Sequence, residues 1–319
     1  MIRRVDAQNR NISTVVGNNA LGPGFSGDFG PATGAQLNTP DGVAIAPDGD
    51  LIVADSHNHR VRRIDRETGE IITIAGSGDD GFSGDNGPAT AAQLNTPSAV
   101  AAAGNGDIYI ADTLNYRIRM IDHLTGFIHT IAGTGLAGDP DNVGDGGPAT
   151  NATLNMPSDI AIAPNGDIYI ADMHHQRVRR VDAKTRLIST VAGNGRWGYS
   201  GDNGPATQAS LAGPAGIAVV PESGGRVTLF IADYYNGHVR AVGPDGIIRE
   251  ISDGGRDAFG APSRVAYAPK NGWLYVADSS RDRLVVLNMQ QIAPTLVPLP
   301  APPVDPVRRV NNNRPRVTG

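Results

Sequence analysis

Two sets of side chains in this sequence have the chemical character of a functional site. An aspartate ends an apolar segment in five similar stretches: Asp55, Asp112, Asp172, Asp233 and Asp278. An arginine follows four of these at a spacing of five residues: Arg60, Arg117, Arg177 and Arg283. Repeated carboxylates could bind a metal or transfer protons. Histidines at His57, His174 and His175 add neutral imidazoles, which are good zinc and copper ligands.

The recurrence of the Asp–Arg pattern favours a structural role for it. Chemistry usually takes place once in a protein, whereas this pattern returns along the whole sequence. An aspartate at a strand end can accept N–H bonds from the following turn, and an arginine on the next strand can pair with it. We therefore predict ion pairs such as Asp112 with Arg117. His238 stands where the fourth repeat would have its arginine, so that repeat is predicted to pair differently.

Composition argues against several other kinds of site. The 319 residues include no cysteine, which excludes disulfides, thiolate metal sites and cysteine nucleophiles. The sequence contains no Gly-x-Ser-x-Gly nucleophile motif. A net charge of -5, with only two lysines, gives no basic surface for nucleic acid. No apolar run reaches the ~18 residues of a membrane span. We predict no metal, no cofactor, no nucleic-acid partner and no membrane insertion.

An internal repeat positions these side chains. The motif Gly-Pro-Ala-Thr recurs with its proline at Pro31, Pro88, Pro148 and Pro205, in steps of 57, 60 and 57 residues. Each unit contains four short apolar segments separated by Gly, Asp and Asn turns; the first full unit has them at 42–46, 51–55, 60–65 and 71–75. Four antiparallel strands repeated radially are typical of a β-propeller, so we predict an all-β propeller of four-stranded blades.

The repeated motifs resemble a known family. They are Gly-Asp-x-Gly-Pro-Ala-Thr, Leu-Asn-x-Pro, Ile-Tyr-Ile-Ala-Asp, Asn-x-Arg-Val/Ile-Arg and Ile-x-Thr-Ala/Val-Ala-Gly. Together they resemble the NHL repeat, in the long-looped form of bacterial surface proteins and teneurins, over residues 1–288. The resemblance implies a propeller whose relatives include adhesion modules, sensors, RNA-binding domains and a peptide-amidating lyase. That lyase holds a metal with histidines around the propeller axis, which leaves a metal-dependent lyase or hydrolase as the alternative function.

The count of first strands gives the number of blades. They lie near positions 43, 100, 160, 217 and 265, which predicts five blades within residues 1–288. The N-terminal segments at 2–6 and 12–16 match third and fourth strands, and we expect 12–16 to complete the last sheet and close the ring. A six-bladed propeller truncated at its N-terminus is the alternative. Residues 289–319 are rich in proline, which predicts a disordered tail or linker.

Loops of one face are the predicted binding surface. In a four-stranded blade, the turn between strands two and three lies on the same face as the connection to the next blade, and loops on a rigid scaffold usually carry binding. Residues here that break the repeat are the candidates: His57, His59, Tyr116, His174, His175, Arg196, Trp197, Tyr199, Tyr234 and Tyr235.

The residue types of these candidates favour a binding or scaffold function over a catalytic one. Aromatic, arginine and histidine side chains at variable positions are typical of an interaction surface. We predict a non-catalytic propeller that binds a protein or other macromolecule, as a monomer or as part of a larger chain. A high ratio of arginine to lysine suggests a bacterial source and a surface protein. The absence of a signal-like segment at the N-terminus leaves the compartment open.

Overall fold

The computed structural model describes residues 1–251 and 259–292, and most of these residues lie in strands and tight turns. Five consecutive antiparallel sheets, numbered here as blades 1 to 5, follow an N-terminal hairpin. The chain is therefore an all-β, five-bladed propeller, as the repeat predicted. The described residues include no helix that is long and apolar enough to cross a bilayer.

The strands are numbered in chain order. The N-terminal hairpin contains β1 (Ile2–Val5) and β2 (Ile12–Val16). Blade 1 contains β3 (Gly30–Pro31), β4 (Pro40–Ile45), β5 (Leu51–Asp55), β6 (Arg60–Ile64) and β7 (Glu70–Ala75). Blade 2 contains β8 (Gly87–Pro88), β9 (Pro97–Ala102), β10 (Ile108–Asp112), β11 (Arg117–Ile121) and β12 (Phe127–Ala132).

The later blades follow the same order. Blade 3 contains β13 (Pro157–Ile162), β14 (Ile168–Asp172), β15 (Arg177–Val181) and β16 (Ile188–Ala192). Blade 4 contains β17 (Gly204–Pro205), β18 (Pro214–Pro221), β19 (Val227–Asp233), β20 (His238–Val242) and β21 (Ile247–Ile251). Blade 5 contains β22 (Pro262–Ala268), β23 (Trp273–Asp278) and β24 (Arg283–Asn288), followed by helix α1 (Met289–Ile292).

Short 3₁₀ turns connect the second and third strands of every blade, and we call them elbow turns. They are Ser56–Asn58, Thr113–Asn115, Met173–His175, Tyr234–Asn236 and Ser279–Arg281. The residue that ends an elbow turn has left-handed backbone geometry, for example His59 with φ 52°. This geometry reverses the chain in a few residues, so the aspartate before the turn and the arginine after it lie directly opposite each other.

Long segments run from the last strand of one blade to the first strand of the next, and we call them leading loops. In the loop before β9, Gly87–Pro88 pairs with β12 and the 3₁₀ turn Ala89–Ala91 follows. The loop thereby fastens onto the outer strand of the blade that it leads into. Leucines after these turns are buried, at Leu37, Leu94, Leu154 and Leu211. A proline stands just before each of these 3₁₀ turns, as Pro88 does before Ala89–Ala91.

The hydrophobic core lies between neighbouring blades. Ile52 and Ala54 of blade 1 pack against Val100 and Ile110 of blade 2, in a cluster that also contains Leu94 of the leading loop. Equivalent clusters join blades 2 and 3, 3 and 4, and 4 and 5. The first strands are innermost, and each contacts the first strand of the next blade from β4 to β22. Sheets buried on both faces explain the continuous apolar strands.

The predicted closure of the ring by residues 12–16 is wrong. Within the described residues, β2 pairs only with β1, and β24 pairs only with β23. The reason is packing: Val16 lies in a cluster with Ala35 and Leu37, from the leading loop of blade 1. The hairpin therefore takes the outer position that a third and fourth strand would occupy ahead of blade 1.

The described chain continues past residue 288, where the propeller was predicted to end. Met289 begins helix α1 and is fully buried against the core between blades 4 and 5. Helix α1 ends at Ile292. Residues 293–319, the rest of the predicted proline-rich tail, lie outside the described residues.

Candidate functional site

The repeated aspartates form buried networks, but their main arginine partners differ from the prediction. In blades 1 to 3 the arginine seven residues after the aspartate makes the contact, as Arg119 does with Asp112 at 3.2 Å. Arg62 and Arg179 make the same contact with Asp55 and Asp172, both at 3.3 Å. These three arginine side chains are fully buried. The predicted pairs Asp55–Arg60, Asp112–Arg117 and Asp172–Arg177 are therefore wrong.

Blades 4 and 5 explain when each arginine is used. In blade 4, Arg240 approaches Asp233 at 3.8 Å, so this blade also uses the arginine seven residues after the aspartate. The predicted difference in pairing caused by His238 is therefore wrong. Blade 5 has Val285 at the corresponding position, and there Arg283 Nε donates to Asp278 at 2.9 Å. The carboxylate is thus paired by the arginine seven residues after it where one is present, and in blade 5 by Arg283, which is about half exposed.

Asp112 shows how each network is built. Its Oδ1 accepts from Asn95 N–H at 2.7 Å, and its Oδ2 accepts from Asn115 Nδ2 at 2.8 Å. Arg119 also bonds Asp85 of the leading loop at 2.8 Å. Burial raises the pKa of Asp112 to about 6, although these three partners each favour the carboxylate. The network joins second strand, elbow turn and leading loop, and such joining is a structural role.

Arginines five residues after the aspartate hold neighbouring blades together. Arg117 donates to Thr134 O, in the leading loop of blade 3, at 2.7 Å. Its guanidinium lies 3.6 Å from the ring centroid of Phe82. Arg60 repeats both contacts with Ser77 O and Phe25. This stacking draws Arg60 and Arg117 away from the aspartates. Arg177 has no such ring contact and donates instead to Pro140 O at 2.8 Å and Asn194 O at 3.2 Å.

The histidine candidates do not converge on a common centre. His57 Nδ1 lies 3.1 Å from Thr39 Oγ1, whereas His175 is buried with Nδ1 2.9 Å from Asp172 Oδ2. His174 is exposed on its elbow turn. In residues 1–251 and 259–292, no three His, Cys, Asp or Glu side chains are placed to hold a metal. The alternative of a metal-dependent lyase or hydrolase therefore finds no ligand set in this part of the chain.

His59 has a structural role that its sequence position did not reveal. Its Nδ1 accepts from the backbone N–H of Thr96, in the leading loop of blade 2, at 3.1 Å. Gln176 occupies the same turn position in blade 3 and accepts from Gly213 N–H at 2.6 Å. Tyr116 is the half-buried equivalent in blade 2, with left-handed φ 54°. His59 and Gln176 therefore link their blades to the next one, and sequence reasoning missed Gln176.

Arg264 lies at the propeller axis. Arg264 lies on β22 where the other first strands have Gly42, Ala99, Asp159 and Gly216. Its guanidinium donates to the carbonyl oxygens of Ser98 and Ser158 at 3.2 Å and of Ala215 at 2.9 Å. These carbonyls belong to the innermost strands of blades 2, 3 and 4. Sequence reasoning missed Arg264, although its departure from small residues in aligned first strands is the signal.

An exposed aromatic cluster lies on the loop face of blade 4. Trp197 and Tyr235 pack with ring centroids 4.7 Å apart, and Tyr234 meets Tyr235 edge-on at 4.8 Å. Trp197 is 61% exposed and Tyr235 is 55% exposed. We call these three residues the aromatic cluster. It combines two separate predicted stretches, one from a leading loop and one from an elbow turn.

Backbone contacts fix the aromatic cluster in place. Asn236 Nδ2 donates to Gly198 O at 2.8 Å, which ties the elbow turn to the loop that carries Trp197. Tyr235 N–H donates to Ala212 O at 3.0 Å. Gly213 has φ +65°, and a Cβ there would lie 2.6 Å from the Tyr235 ring. Glycine at this position therefore allows the ring to lie flat against the loop.

The remaining candidates are separate from this cluster. Tyr199 stacks on His238 with centroids 4.5 Å apart, and its hydroxyl lies 2.5 Å from Asp202 and 3.0 Å from Glu250. Burial and these two carboxylates raise the pKa of Tyr199. Arg196 is exposed next to Trp197 in the chain. Tyr199 therefore anchors its leading loop, as Phe25 and Phe82 do in theirs.

Sequence comparisons agree with this architecture. Residues 37–64 match the NHL repeat model, and residues 68–122 and 121–198 match the teneurin NHL domain model. Protein SUPPRESSOR OF QUENCHING 1, chloroplastic, from Arabidopsis thaliana is 35% identical over 45% of this chain and 14% of its own length. Teneurin-4 from Mus musculus is 32% identical over 60% of this chain and 7% of its own length. The chain thus spans only a small part of these relatives.

Solved structures share the fold at low sequence identity. An auxiliary nutrient binding protein from Bacteroides ovatus superposes with a TM-score of 0.62 at 17% identity, covering 89% of this chain and 64% of that one. A chain of the nidogen/laminin complex superposes with a TM-score of 0.55 at 16% identity, covering 80% of each. The repeat matches and the five-bladed architecture together show that this chain belongs to the NHL-repeat β-propeller family.

Proposed function

We propose that this propeller is a non-catalytic module that binds a protein partner through the aromatic cluster of Trp197, Tyr234 and Tyr235. The exposure of a tryptophan and a tyrosine that pack against each other is the observation that carries the proposal. Tryptophan and tyrosine are the residues most enriched at interface hot spots. They offer a large contact area and lose little side-chain entropy on binding.

Pre-organisation supports the same conclusion. The hydrogen bonds of Asn236 and Tyr235 hold the cluster before any partner arrives. A rigid surface loses less conformational entropy on association than a flexible loop does, which favours binding. One structural neighbour is a chain of a nidogen/laminin complex, and the teneurin NHL domain model matches residues 68–198. We infer a protein, not a small substrate, as the ligand of this surface.

Affinity capture with a matched control variant tests the proposal. We expect the immobilised wild-type chain to retain a partner from an extract of its source, and the double variant Trp197→Ala, Tyr235→Ala to lose it. A hot spot of 2 kcal/mol corresponds to an affinity loss of about 30-fold, measurable with the purified partner. Phe127→Ala is the control, since Phe127 is an exposed aromatic residue at the opposite end of a blade.

Two outcomes would contradict the proposal. Equal retention by wild type and double variant would show that the aromatic cluster is not the binding surface. Retention of a ligand that survives protease treatment of the extract would exclude a protein partner. Melting temperatures of the three chains should agree within a few degrees, because the cluster is exposed and its loss leaves no buried cavity.

A further inference from the structure

An apolar cleft separates blade 5 from blade 1. Val43 on β4 is 52% exposed, whereas its counterparts Val100, Ile160, Ile217 and Val265 are between 4% and 7% exposed. Those four pack against the preceding blade, whereas Val43 belongs to no core cluster of the described residues. A cavity of about 260 Å³ lies beside Val43, and Tyr275, Ala277 and Leu284 of blade 5 also line it. Ile45, two residues further on the same strand, is also exposed. Within residues 1–251 and 259–292, this apolar wall of blade 1 is therefore left uncovered.

Blade 5 forms the opposite wall. Leu284 is 58% exposed, whereas its counterpart Val61 in blade 1 is fully buried against blade 2. Val286 lies next to Tyr275 across the strands, and Leu284 lies next to Ala277, so all four share one face. Trp273 extends this face, with its ring centroid 6.5 Å from that of Tyr275. The wall combines two aromatic rings with two branched aliphatic side chains.

We propose that residues 293–304 of this same chain occupy the cleft. The segment starts directly after Ile292, which ends helix α1, and α1 packs on β23 and β24 of the blade that forms one wall. Because β24 is the outermost described strand of blade 5, the chain has to pass over only one edge to reach the cleft. At about 3 Å per residue, twelve extended residues span roughly 35 Å, which is ample.

The composition of the segment suits this cleft. Leu296, Val297, Leu299 and Val304 supply aliphatic groups, separated by Pro298, Pro300, Pro302 and Pro303. Proline has no N–H, so an apolar surface leaves fewer backbone donors unpaired. Proline-rich extended segments bind grooves lined by aromatic rings and lose little conformational entropy in doing so. Tyr275 and Trp273 offer such a surface.

Charge also favours a contact within the chain. Residues 293–319 contain four arginines and one aspartate, while the whole chain has a net charge of -5. The folded body therefore carries an excess of acidic groups. One of them, Asp41, is about half exposed at the cleft beside Arg264. The arginines after Val307 would approach an oppositely charged body and so raise the local concentration of the apolar segment.

The absence of cysteine makes a disulfide scan of the full chain the direct test. Leu284→Cys is combined in turn with Leu296→Cys, Val297→Cys and Leu299→Cys, and each protein is oxidised mildly at low concentration. We expect at least one pair to form an intramolecular disulfide ten or more times faster than the same tail cysteine with Leu124→Cys. Leu124 is a highly exposed leucine on a distant turn and controls for random encounters.

A second measurement uses the full chain without cysteines. We expect the triple variant Leu296→Ser, Val297→Ser, Leu299→Ser to bind several times more of a hydrophobic dye, because the cleft walls become accessible. Disulfide rates equal to those of the Leu124→Cys control would overturn the proposal, as would unchanged dye binding. Disulfides that form between two chains instead of within one would assign the cleft to a second copy and would also overturn it.

Discussion

The buried carboxylate of Asp112 pairs with the fully buried Arg119 and not with the half-buried Arg117. Arg119 is fully buried and contacts two carboxylates, of Asp112 and Asp85, whereas Arg117 reaches out to Phe82 and the next loop. Both arginines lie on the same face of β11, so alternation of side chains does not distinguish them. What distinguishes them is the leading loop, which covers one and stacks on the other.

This difference makes a prediction about the two arginines. We expect Arg119→Met to lower the free energy of unfolding by about 3 to 5 kcal/mol, because two carboxylates lose their buried partner. Arg117→Met should cost only about 1 kcal/mol, from one stacking contact and carbonyl bonds at a half-exposed site. Urea unfolding of both variants measures this. Equal losses would mean that Arg117 carries the pairing after all.

Sequence reasoning at the residue scale identified the right residue types but not all the partners. The aspartates at strand ends and the arginines on the next strand were visible in the repeat. Arg119 also pairs with Asp85 of the leading loop, which lies 34 residues before it in the chain, and Arg117 does not. Spacing shows which residues share a strand face, but not which long side chain a distant loop covers.

In blades 1 and 3, the residue that ends the elbow turn joins its blade to the next one. His59 and Gln176 accept hydrogen bonds from the leading loop of the following blade. Neutral imidazole is required, because Nδ1 accepts the Thr96 N–H only when it carries no proton. Burial lowers the pKa of His59, which agrees with this contact. The hydrogen bond between His59 and Thr96 is therefore lost when the imidazole is protonated. The equivalent bond between Gln176 and Gly213 does not depend on pH in this way.

The prediction is a pH-dependent loss of stability that one substitution removes. Because the folded pKa of His59 is lowered, the unfolded chain binds the proton more readily, and stability falls as pH drops through about 6.5. We expect His59→Gln to keep the link, as Gln176 does, and to show a smaller fall in melting temperature between pH 7.5 and pH 5. Parallel melting curves for both chains would refute this origin.

Strand positions were predicted well because turn residues mark them. In blade 1, the predicted 51–55 agrees with β5 (Leu51–Asp55), while β4 begins at Pro40 instead of residue 42. The earlier start has a physical cause, since Pro40 still faces Asp55 across an irregular register. A proline is a poor strand signal, and only the sheet reveals that this edge accepts it.

The whole molecule is centred on Arg264. Its hydrogen bonds gather carbonyl groups from three blades, and Asp159 lies beside it with its own backbone bonds to Ile160 and Ile217. Burial raises the pKa of Asp159, and Arg264 works against that shift. A cation at the axis therefore offsets the convergence of carbonyl dipoles and one carboxylate in a confined space.

Removing this cation should weaken the whole propeller. We expect Arg264→Met to cost about 3 to 5 kcal/mol of unfolding free energy, since several axial carbonyls and a carboxylate lose their partner. Arg264→Lys should recover part of the loss, because an ammonium group keeps the charge but cannot span three carbonyls. Urea denaturation midpoints compare the three chains. Identical midpoints for wild type and Arg264→Met would exclude an axial role.

The number of blades was predictable, but the contacts of the terminal strands were not. A segment that matches a fourth strand shows what kind of strand it is, without showing which sheet it joins. Val16 packs against the apolar side chains of Ala35 and Leu37, in the leading loop of blade 1. Because β2 does not join blade 5, a cleft remains between blades 5 and 1. The spacing of the repeats does not predict this cleft.

The likeness between repeats also bears on how the chain reaches its fold. Strands β10 and β14 have the same sequence, Ile-Tyr-Ile-Ala-Asp, so neither specifies its neighbours by its own side chains. Correct assembly then depends on connection length: hairpins of a few residues close long before distant strands meet. Fast closure of hairpins favours correct pairing within a single chain. At high protein concentration, we expect refolding chains to exchange equivalent strands with one another, which is a characteristic failure of repeat proteins.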